Sequence, residues 1–191
     1  MTFDLDAFLA ELRGWAAREA PAPAVARYGP GPEHLVELRV PDGPGPHAVA
    51  VLLHGGFWRA RFDRSTMVAL AVDLHRRGFA TANVEYRRVG AGGGIPATLE
   101  DVERAADVVP RLDHRLDRAR IVAIGHSAGG HLALWLAGTG KVAAAVSLAG
   151  VSDLKAAADE GLGEGAAVEL AGGTPAERPE AYALADPIRR V

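Results

Sequence analysis

The stretch AIGHSAGGHLALW, residues 123–135, passes from a hydrophobic segment through a turn of small residues into a helical pattern. Within it, GHSAG (125–129) fits the pattern G-x-S-x-G, with a predicted buried strand before it and a predicted helix after it. Small residues are needed there because the strand and the helix approach closely at a strained turn. The hydroxyl of Ser127 would then lie at a helix N-terminus, which favours a developing anion. Ser127 is therefore the candidate nucleophile, and the alternative is an N-cap on a buried helix.

A second motif, HGGFW (54–58), directly follows the predicted strand 48–53. A glycine loop at this position can turn backbone N–H groups into a pocket without interference from a Cβ atom. We expect the N–H of Gly56, or that of Gly55, to form an oxyanion hole together with the N–H of Ala128. His54 is expected to order the loop through local hydrogen bonds and not to act as the catalytic base.

Three further residues next to these motifs are candidates for the pocket. Phe57 and Trp58 are expected either to line it or to pack in the core. His126 precedes the serine, and its side chain is expected to diverge from that of Ser127 towards a packing or rim contact.

Alternation of strands and helices predicts an α/β fold. Short apolar runs typical of strands buried on both faces occur at 48–53, 79–84, 121–125 and 142–149, after an alternating strand at 34–40. Helical patterns at 64–77, 98–112 and 127–138 separate them. The order indicates a mostly parallel sheet with helices on both faces. Thr98 and Asp101 are predicted to form a capping box.

Outside this pattern, the N-terminal segment is expected to form an amphipathic helix over 4–19, because Phe3, Leu5, Phe8, Leu9 and Leu12 recur at three- and four-residue spacing. The following Pro/Gly-rich segment, 19–33, is expected to be irregular. The whole chain, 1–191, is interpreted as a single α/β domain with this helix outside the main core.

Composition excludes several classes of function. The 191 residues carry a formal charge of −3, with acidic and basic side chains dispersed, which disfavours nucleic acid or an anionic membrane as a partner. The chain has no cysteine, so thiolate chemistry and cysteine-bound metals are excluded, and no metal-ligand spacing is present. The acidic N-terminus does not resemble a signal peptide, and no apolar run is long enough for a membrane span. We expect a cytoplasmic protein without a metal or organic cofactor.

The chain resembles the α/β-hydrolase superfamily, and within it the branch of kynurenine formamidase-like enzymes and small carboxylesterases. The motifs that carry the resemblance are HGGFW and GHSAGG, with VEYRRVG and GGGIPATLEDV between them. The resemblance covers most of the chain from Tyr28 to Pro187. It implies that a small ester or an N-formyl amide is cleaved through an acyl-enzyme on Ser127.

The triad of such hydrolases follows the order serine, acid, histidine, with the last two placed after the seventh and eighth strands. This chain reaches Val191 before either strand, so it is predicted to be C-terminally truncated, with the last two strands and helices missing. Asp153 is a weak candidate for the acid and is favoured instead as a helix cap. His131 follows Ser127 by four residues and would lie along the same helix, not across the pocket.

Two functional hypotheses follow. Without its base, the serine hydrolase would keep only the roughly 10³–10⁴-fold acceleration over water that an oxyanion hole and binding supply, so this chain alone is expected to be nearly inactive. The alternative is a non-catalytic remnant or interaction module that retains the hydrolase fold. In either case the strand at 142–149 would be a bare edge that allows self-association. His34, Arg87 and Arg88 are expected to be solvated.

Overall fold

A computed structural model describes residues 4–190; Phe3, assigned above to the first helix, lies outside the described residues. The elements in chain order are α1 (Leu5–Glu19), β1 (Ala24–Arg27), β2 (Leu35–Arg39), β3 (His47–Leu53), α2 (Val68–Arg76), β4 (Ala80–Val84), α3 (Ala97–Val108), β5 (Leu116–His126), α4 (Ala128–Ala137), β6 (Ala144–Leu148), α5 (Leu154–Asp159), α6 (Leu162–Ala171) and α7 (Pro179–Ala185).

The strands form one six-stranded sheet in the order β1-β2-β4-β3-β5-β6. Strands β4, β3, β5 and β6 are parallel, whereas β1 and β2 join antiparallel at one edge. The predicted mostly parallel α/β sheet is therefore confirmed. At the other edge lies β6, where the side chains of Val146 and Leu148 are 43% and 41% exposed.

Strand β3 shows how the two faces of the sheet are covered. Val49, Val51 and Leu53 face a core that includes side chains of α3 and α4. Ala50 and Leu52 face the opposite side of the sheet. There they pack with Met67, just before α2, and with Ala71 within α2. Because successive strand residues point to opposite faces, β3 is buried on both sides, as a central parallel strand should be.

Helix α1 packs on α2, away from the sheet. Its first turn is capped by Asp4, whose carboxylate accepts a hydrogen bond of 3.0 Å from the N–H of Ala7. Only Ala16 of this helix is fully buried. The apolar stripe on α1 is thus left partly uncovered, which matters for the site described below.

Two sequence predictions about secondary structure are wrong. The segment 19–33 is not wholly irregular, because β1 pairs with β2 over Ala24–Arg27; this four-residue edge strand is mostly exposed and has no apolar alternation to reveal it. Thr98 and Asp101 form no capping box, since Pro96 is the N-cap residue of α3. The Thr98 hydroxyl instead donates to the carbonyl of Arg87 at 2.8 Å.

Candidate functional site

Ser127 lies at the bend between β5 and α4, with φ 53° and ψ −119°. A positive φ is strained for a residue with a side chain, and the neighbouring packing must maintain it. Its N–H donates to the carbonyl of Leu148 at 2.8 Å, which ties the bend to the end of β6. The Ser127 side chain is half-buried and has no hydrogen-bond partner among residues 4–190.

The glycines around the serine permit a close approach of backbones. A Cβ atom on Gly125 would overlap the carbonyl of Gly129, and one on Gly129 would overlap the carbonyl of Leu53 at the end of β3. No side-chain rotation relieves a clash with main-chain atoms. Both positions therefore require glycine so that β5, α4 and β3 can meet at one point.

The HGGFW loop lies against this bend. A Cβ on Gly55 would come within 2.8 Å of the carbonyl oxygen of His126 and 3.2 Å of the Cβ of Ser127. The next three residues all have positive φ: 113° at Gly56, 58° at Phe57 and 56° at Trp58. This left-handed turn brings the loop beside the serine and beside Ala128, the first residue of α4. Of the residues expected to form the oxyanion hole, Gly55 and Gly56 line the same space as Ser127, and Ala128 directly follows it at the start of α4.

His54 anchors the loop from below and is 1% exposed. Its Nε2 lies 2.9 Å from a carboxylate oxygen of Glu85, and its Nδ1 lies 2.8 Å from the carbonyl oxygen of Gly55. The ring stacks on Tyr86 at 4.2 Å, and the Tyr86 hydroxyl donates to the His54 carbonyl at 2.7 Å. Both ring nitrogens of His54 therefore face oxygen atoms that accept hydrogen bonds, the Gly55 carbonyl and the Glu85 carboxylate. These contacts match its predicted role in ordering the loop.

Glu85, which follows β4 and contacts the His54 ring, is 2% exposed. Burial alone would raise the pKa of this carboxyl, but the hydrogen bond and the charge of His54, the Arg64 N–H at 3.1 Å and the Arg88 guanidinium at 3.3 Å together lower it. The ionised form of Glu85 is therefore favoured.

The charged network continues beyond Glu85, and here the sequence prediction is wrong. Arg88 is only 5% exposed and pairs with both Glu85 and Glu33. Arg87 Nη2 donates a hydrogen bond of 2.7 Å to Oδ1 of Asp101. The Nε2 atom of the buried His34 lies 3.1 Å from the same carboxylate oxygen. The run EYRR directly after a buried strand was the signal that these charges are enclosed.

His131 and Asp153 are both engaged away from Ser127. His131 is fully buried, and its Nε2–H donates to the carbonyl of Ala185 at 2.9 Å. Burial lowers its pKa to about 4, so the ring is neutral near pH 7. Asp153 accepts a hydrogen bond of 2.7 Å from the N–H of Ala156 and caps α5, the role that the sequence favoured.

Two spaces open on either side of Ser127. The α1 groove, defined here as the space between α1 and the segments 55–57, 62–67 and 126–127, has a volume of about 440 Å³. The narrow pocket, defined by Phe57, Trp58, Ser127, Ala128 and parts of 151–167, has a volume of about 50 Å³. Phe57 borders both spaces and is 44% exposed, whereas Trp58 is buried with its ring edge-on to His131. His126 is exposed and borders the α1 groove.

The chain has the α/β-hydrolase fold. This fold is defined by a mixed sheet with a serine at a strained strand-to-helix bend and a glycine loop that follows the neighbouring parallel strand. Within that class, the chain belongs to the BD-FAE family, which it matches over residues 38–191.

Individual relatives agree with this class. The chain is 33% identical over 123 residues to 2,6-dihydropseudooxynicotine hydrolase of Paenarthrobacter nicotinovorans, a match that covers 62% of this chain and 32% of the hydrolase. This chain thus spans about a third of that relative's length. A truncated carbohydrate esterase from gut microbiota superposes with a TM-score of 0.77 at 20% identity, covering 91% of this chain and 73% of the esterase. Esterase B from Lactobacillus rhamnosis gives 0.66 at 20% identity, with 94% and 68% covered.

Two other features bear on ligands and location. Residues 4–190 contain no helix long and apolar enough to cross a lipid bilayer. In the same part of the chain, no three His, Asp or Glu side chains are grouped so that they could hold a metal ion.

Proposed function

We propose that this chain carries the nucleophile and oxyanion hole of a serine hydrolase that cleaves a small carboxylic ester or an N-formyl amide. The observation that carries the proposal is the strained backbone of Ser127, which lies beside Gly55 and at the start of α4. Strain of this kind is characteristic of functional sites, and the Ser127 hydroxyl makes no hydrogen bond within the described residues that would give it a structural role. The hydrolase and esterase relatives support the same class of reaction.

In the proposed reaction, the Ser127 hydroxyl attacks the carbonyl carbon, and the N–H groups of Gly56 or Gly55 and of Ala128 stabilise the oxyanion. The leaving group departs as an alcohol or an amine, and water then hydrolyses the acyl-enzyme. The His54 ring, whose Nδ1 lies 2.8 Å from the Gly55 carbonyl oxygen, orders the loop that carries two of these N–H groups. The resemblance to formamidases and small carboxylesterases supports both substrate types.

The proposal requires a general base that residues 4–190 do not supply, because the described histidines make no hydrogen bond to Ser127. The same observation favours the second candidate, a non-catalytic module that keeps the hydrolase fold. A base added from solution separates the two, since free imidazole can take the place of a missing histidine when the rest of the site is intact.

The test is the hydrolysis of 4-nitrophenyl acetate by this chain with and without added imidazole, together with mass spectrometry of the acylated peptide. We expect imidazole to accelerate an acetylation at Ser127 that S127A lacks, whereas S152A, which removes an exposed serine elsewhere, behaves like the parent. Hydrolysis that is unchanged in S127A at every imidazole concentration would refute the proposal and favour the non-catalytic module. N-formylaniline compared with phenyl acetate then distinguishes the two substrate types.

A further inference from the structure

The α1 groove and the narrow pocket differ greatly in size, and Ser127 lies between them. A single water molecule needs on the order of 10–15 Å³ of the same kind of volume. The narrow pocket of about 50 Å³ therefore admits only a few non-hydrogen atoms. The α1 groove, at about 440 Å³, falls within the range of sites that hold small organic ligands.

Helix α1 presents an apolar stripe to the groove. Leu5, Phe8, Leu9 and Leu12 follow the i, i+3, i+4, i+7 spacing that places side chains on one helix face. On this face Leu5 is 37% and Phe8 43% exposed. An apolar ligand in the groove would remove this area from water.

The opposite wall of the groove is also apolar. It is formed by Phe57 and Phe62 from the glycine-loop region and by Met67 just before α2. Among the described residues that line the groove there is no Asp, Glu, Lys or Arg. A charged substituent would lose water here without gaining an ionic partner, which disfavours its binding.

The α1 wall is held in place by contacts outside the groove. The Arg13 guanidinium donates to the Ser65 hydroxyl at 3.0 Å, and Arg76 donates to Glu19 at 2.5 Å at the far end of the helix. With the Asp4 cap and the packing on α2, these contacts fix the stripe opposite Ser127. The groove is therefore formed before any ligand binds.

We infer that the α1 groove binds an uncharged, extended apolar group on the leaving-group side of the substrate. Leu9 and Leu12 are then specificity-determining residues. The narrow pocket limits the acyl group to formyl or acetyl. The inference rests on the proposed function for the identity of the reacting carbonyl. It narrows the substrate class to short-acyl esters or amides of a bulky apolar alcohol or amine.

The test measures binding, so it does not depend on turnover. N-alkylacetamides from propyl to hexyl are titrated into the protein by ligand-observed NMR. Each added methylene that enters the groove should tighten Kd about two- to four-fold. In intermolecular NOE spectra, the end of the alkyl chain should contact the methyl groups of Leu9, and the acetyl methyl should contact that of Ala157 or Ala166 in the narrow pocket.

The variant L9Q keeps a good helix former and places an amide in the groove, so it should abolish the dependence on chain length. L134Q makes the same change at a half-buried leucine of α4 that borders neither space, and it should retain the dependence. The NOE measurement needs no variant, so the inference stays testable even if L9Q unfolds. A Kd that is independent of chain length, or alkyl contacts to Ala166 instead of Leu9, would overturn the inference.

The two proposals fail separately. S127A should bind the amides nearly as the parent does, because it removes one hydroxyl at the edge of the groove and leaves the apolar walls intact. Length-dependent binding without any acetylation of Ser127 would leave the groove assignment standing and refute the hydrolase. Acetylation of Ser127 without length-dependent binding would support the hydrolase and refute the assignment of the α1 groove.

Discussion

Ser127 and its glycine neighbours show how much of the site depends on single residues. A left-handed φ at a residue with a side chain costs on the order of 1–3 kcal/mol and persists only where the surroundings determine it fully. Here the surroundings are the hydrogen bond to Leu148 and the contact of Gly125 and Gly129 with adjacent backbone. The strain at the serine is thus maintained by residues that have no reactive group of their own.

Gly129→Ala should therefore be strongly destabilising. Its Cβ would overlap the Leu53 carbonyl, so β3 and α4 must move apart, at a cost of about 1–3 kcal/mol or more. Gly14→Ala is the matched control, since it is also a helical glycine and its Cβ would meet nothing closer than Arg18 at 3.5 Å. Alanine there should stabilise the protein by up to about 1 kcal/mol. Urea unfolding of both variants checks this, and equal midpoints would contradict the close approach.

The Glu85→Gln variant tests the buried ion pair beneath the loop. Removal of this buried charge leaves the Arg88 guanidinium without one of its two carboxylates and the His54 ring without its charged partner, which should cost about 3–5 kcal/mol of unfolding free energy. Glu37→Gln removes a more exposed partner of Arg64 and should cost about 1 kcal/mol or less. Chemical denaturation gives both values.

The pH dependence of the Glu85 contribution has a defined sign. Because the folded-state pKa of Glu85 is lowered below its usual 4.5, its stabilisation is present above that pH and is lost as the pH falls through the folded-state pKa. E85Q should lack this acidic loss. Urea unfolding of the parent and of E85Q at acidic and neutral pH checks this, and an equal pH dependence in the two proteins would contradict it.

At the residue level, the sequence was sufficient where the chemistry is local. The motif around Ser127 predicts a strand, a bend and a helix, and the contacts of His54 agree with its predicted role in the loop. His34, Arg87 and Arg88 were wrongly predicted to be solvated, because their partners are distant in sequence: Glu33 pairs with Arg88 across 55 positions. Periodicity cannot reveal partners at such separations.

At the scale of elements, α5 begins where a short side chain satisfies its first turn. Asp153→Ala should cost about 1 kcal/mol because the N–H of Ala156 loses its acceptor, whereas Asp153→Asn should retain most of the cap. Thermal unfolding measures both. If Asp153 were instead the acid of a triad, the imidazole-assisted acetylation of Ser127 would fall by orders of magnitude in the asparagine variant without a matching loss of stability.

Long, buried elements were predictable and short or interrupted ones were not. Strand β3 matches a continuous apolar run, as expected for a strand buried on both faces. Strand β4 is also buried throughout and was predicted, although it carries the polar residues Thr81 and Asn83. The predicted helix 64–77 begins instead with a 3₁₀ turn at Arg64–Met67, where Asp63 accepts from the N–H of Ser65. Local side-chain capping of that kind competes with regular helix and is not visible in periodicity.

At the scale of the whole molecule, His131 links the acid stability of the protein to the packing of α4 against the C-terminal segment. Its pKa is lowered by burial from 6.5 to about 4, so between these values the unfolded chain binds a proton that the folded chain does not. Stability is therefore lost as the pH falls from about 6.5 to about 4, with a contribution of up to about 1.4 kcal/mol per pH unit.

His131→Gln should remove this part of the pH dependence while it keeps a donor for the Ala185 carbonyl. The control is His114→Gln, at a side chain that is 92% exposed and should leave the slope unchanged. Urea unfolding at several pH values between 4 and 7 gives the slopes. An H131Q slope equal to that of the parent would mean that the ring is protonated in the folded protein.

The mostly parallel sheet with helices on both faces followed from the alternation of strands and helices. The strand order was not predicted. The position of β1 and the course of α1 over the serine did not follow, since both depend on tertiary packing. Self-association through the β6 edge stays a prediction.

Helix α1 rests on α2, whereas the bend at Ser127 is held by β3, β5, β6 and α4. The groove wall formed by α1 and the residues that would act on the carbonyl are therefore stabilised by separate sets of contacts. Libraries that randomise the four stripe positions could therefore alter which molecules are accepted while the hydroxyl stays in register. Ligand preference in this scaffold should be adjustable from its first twelve residues.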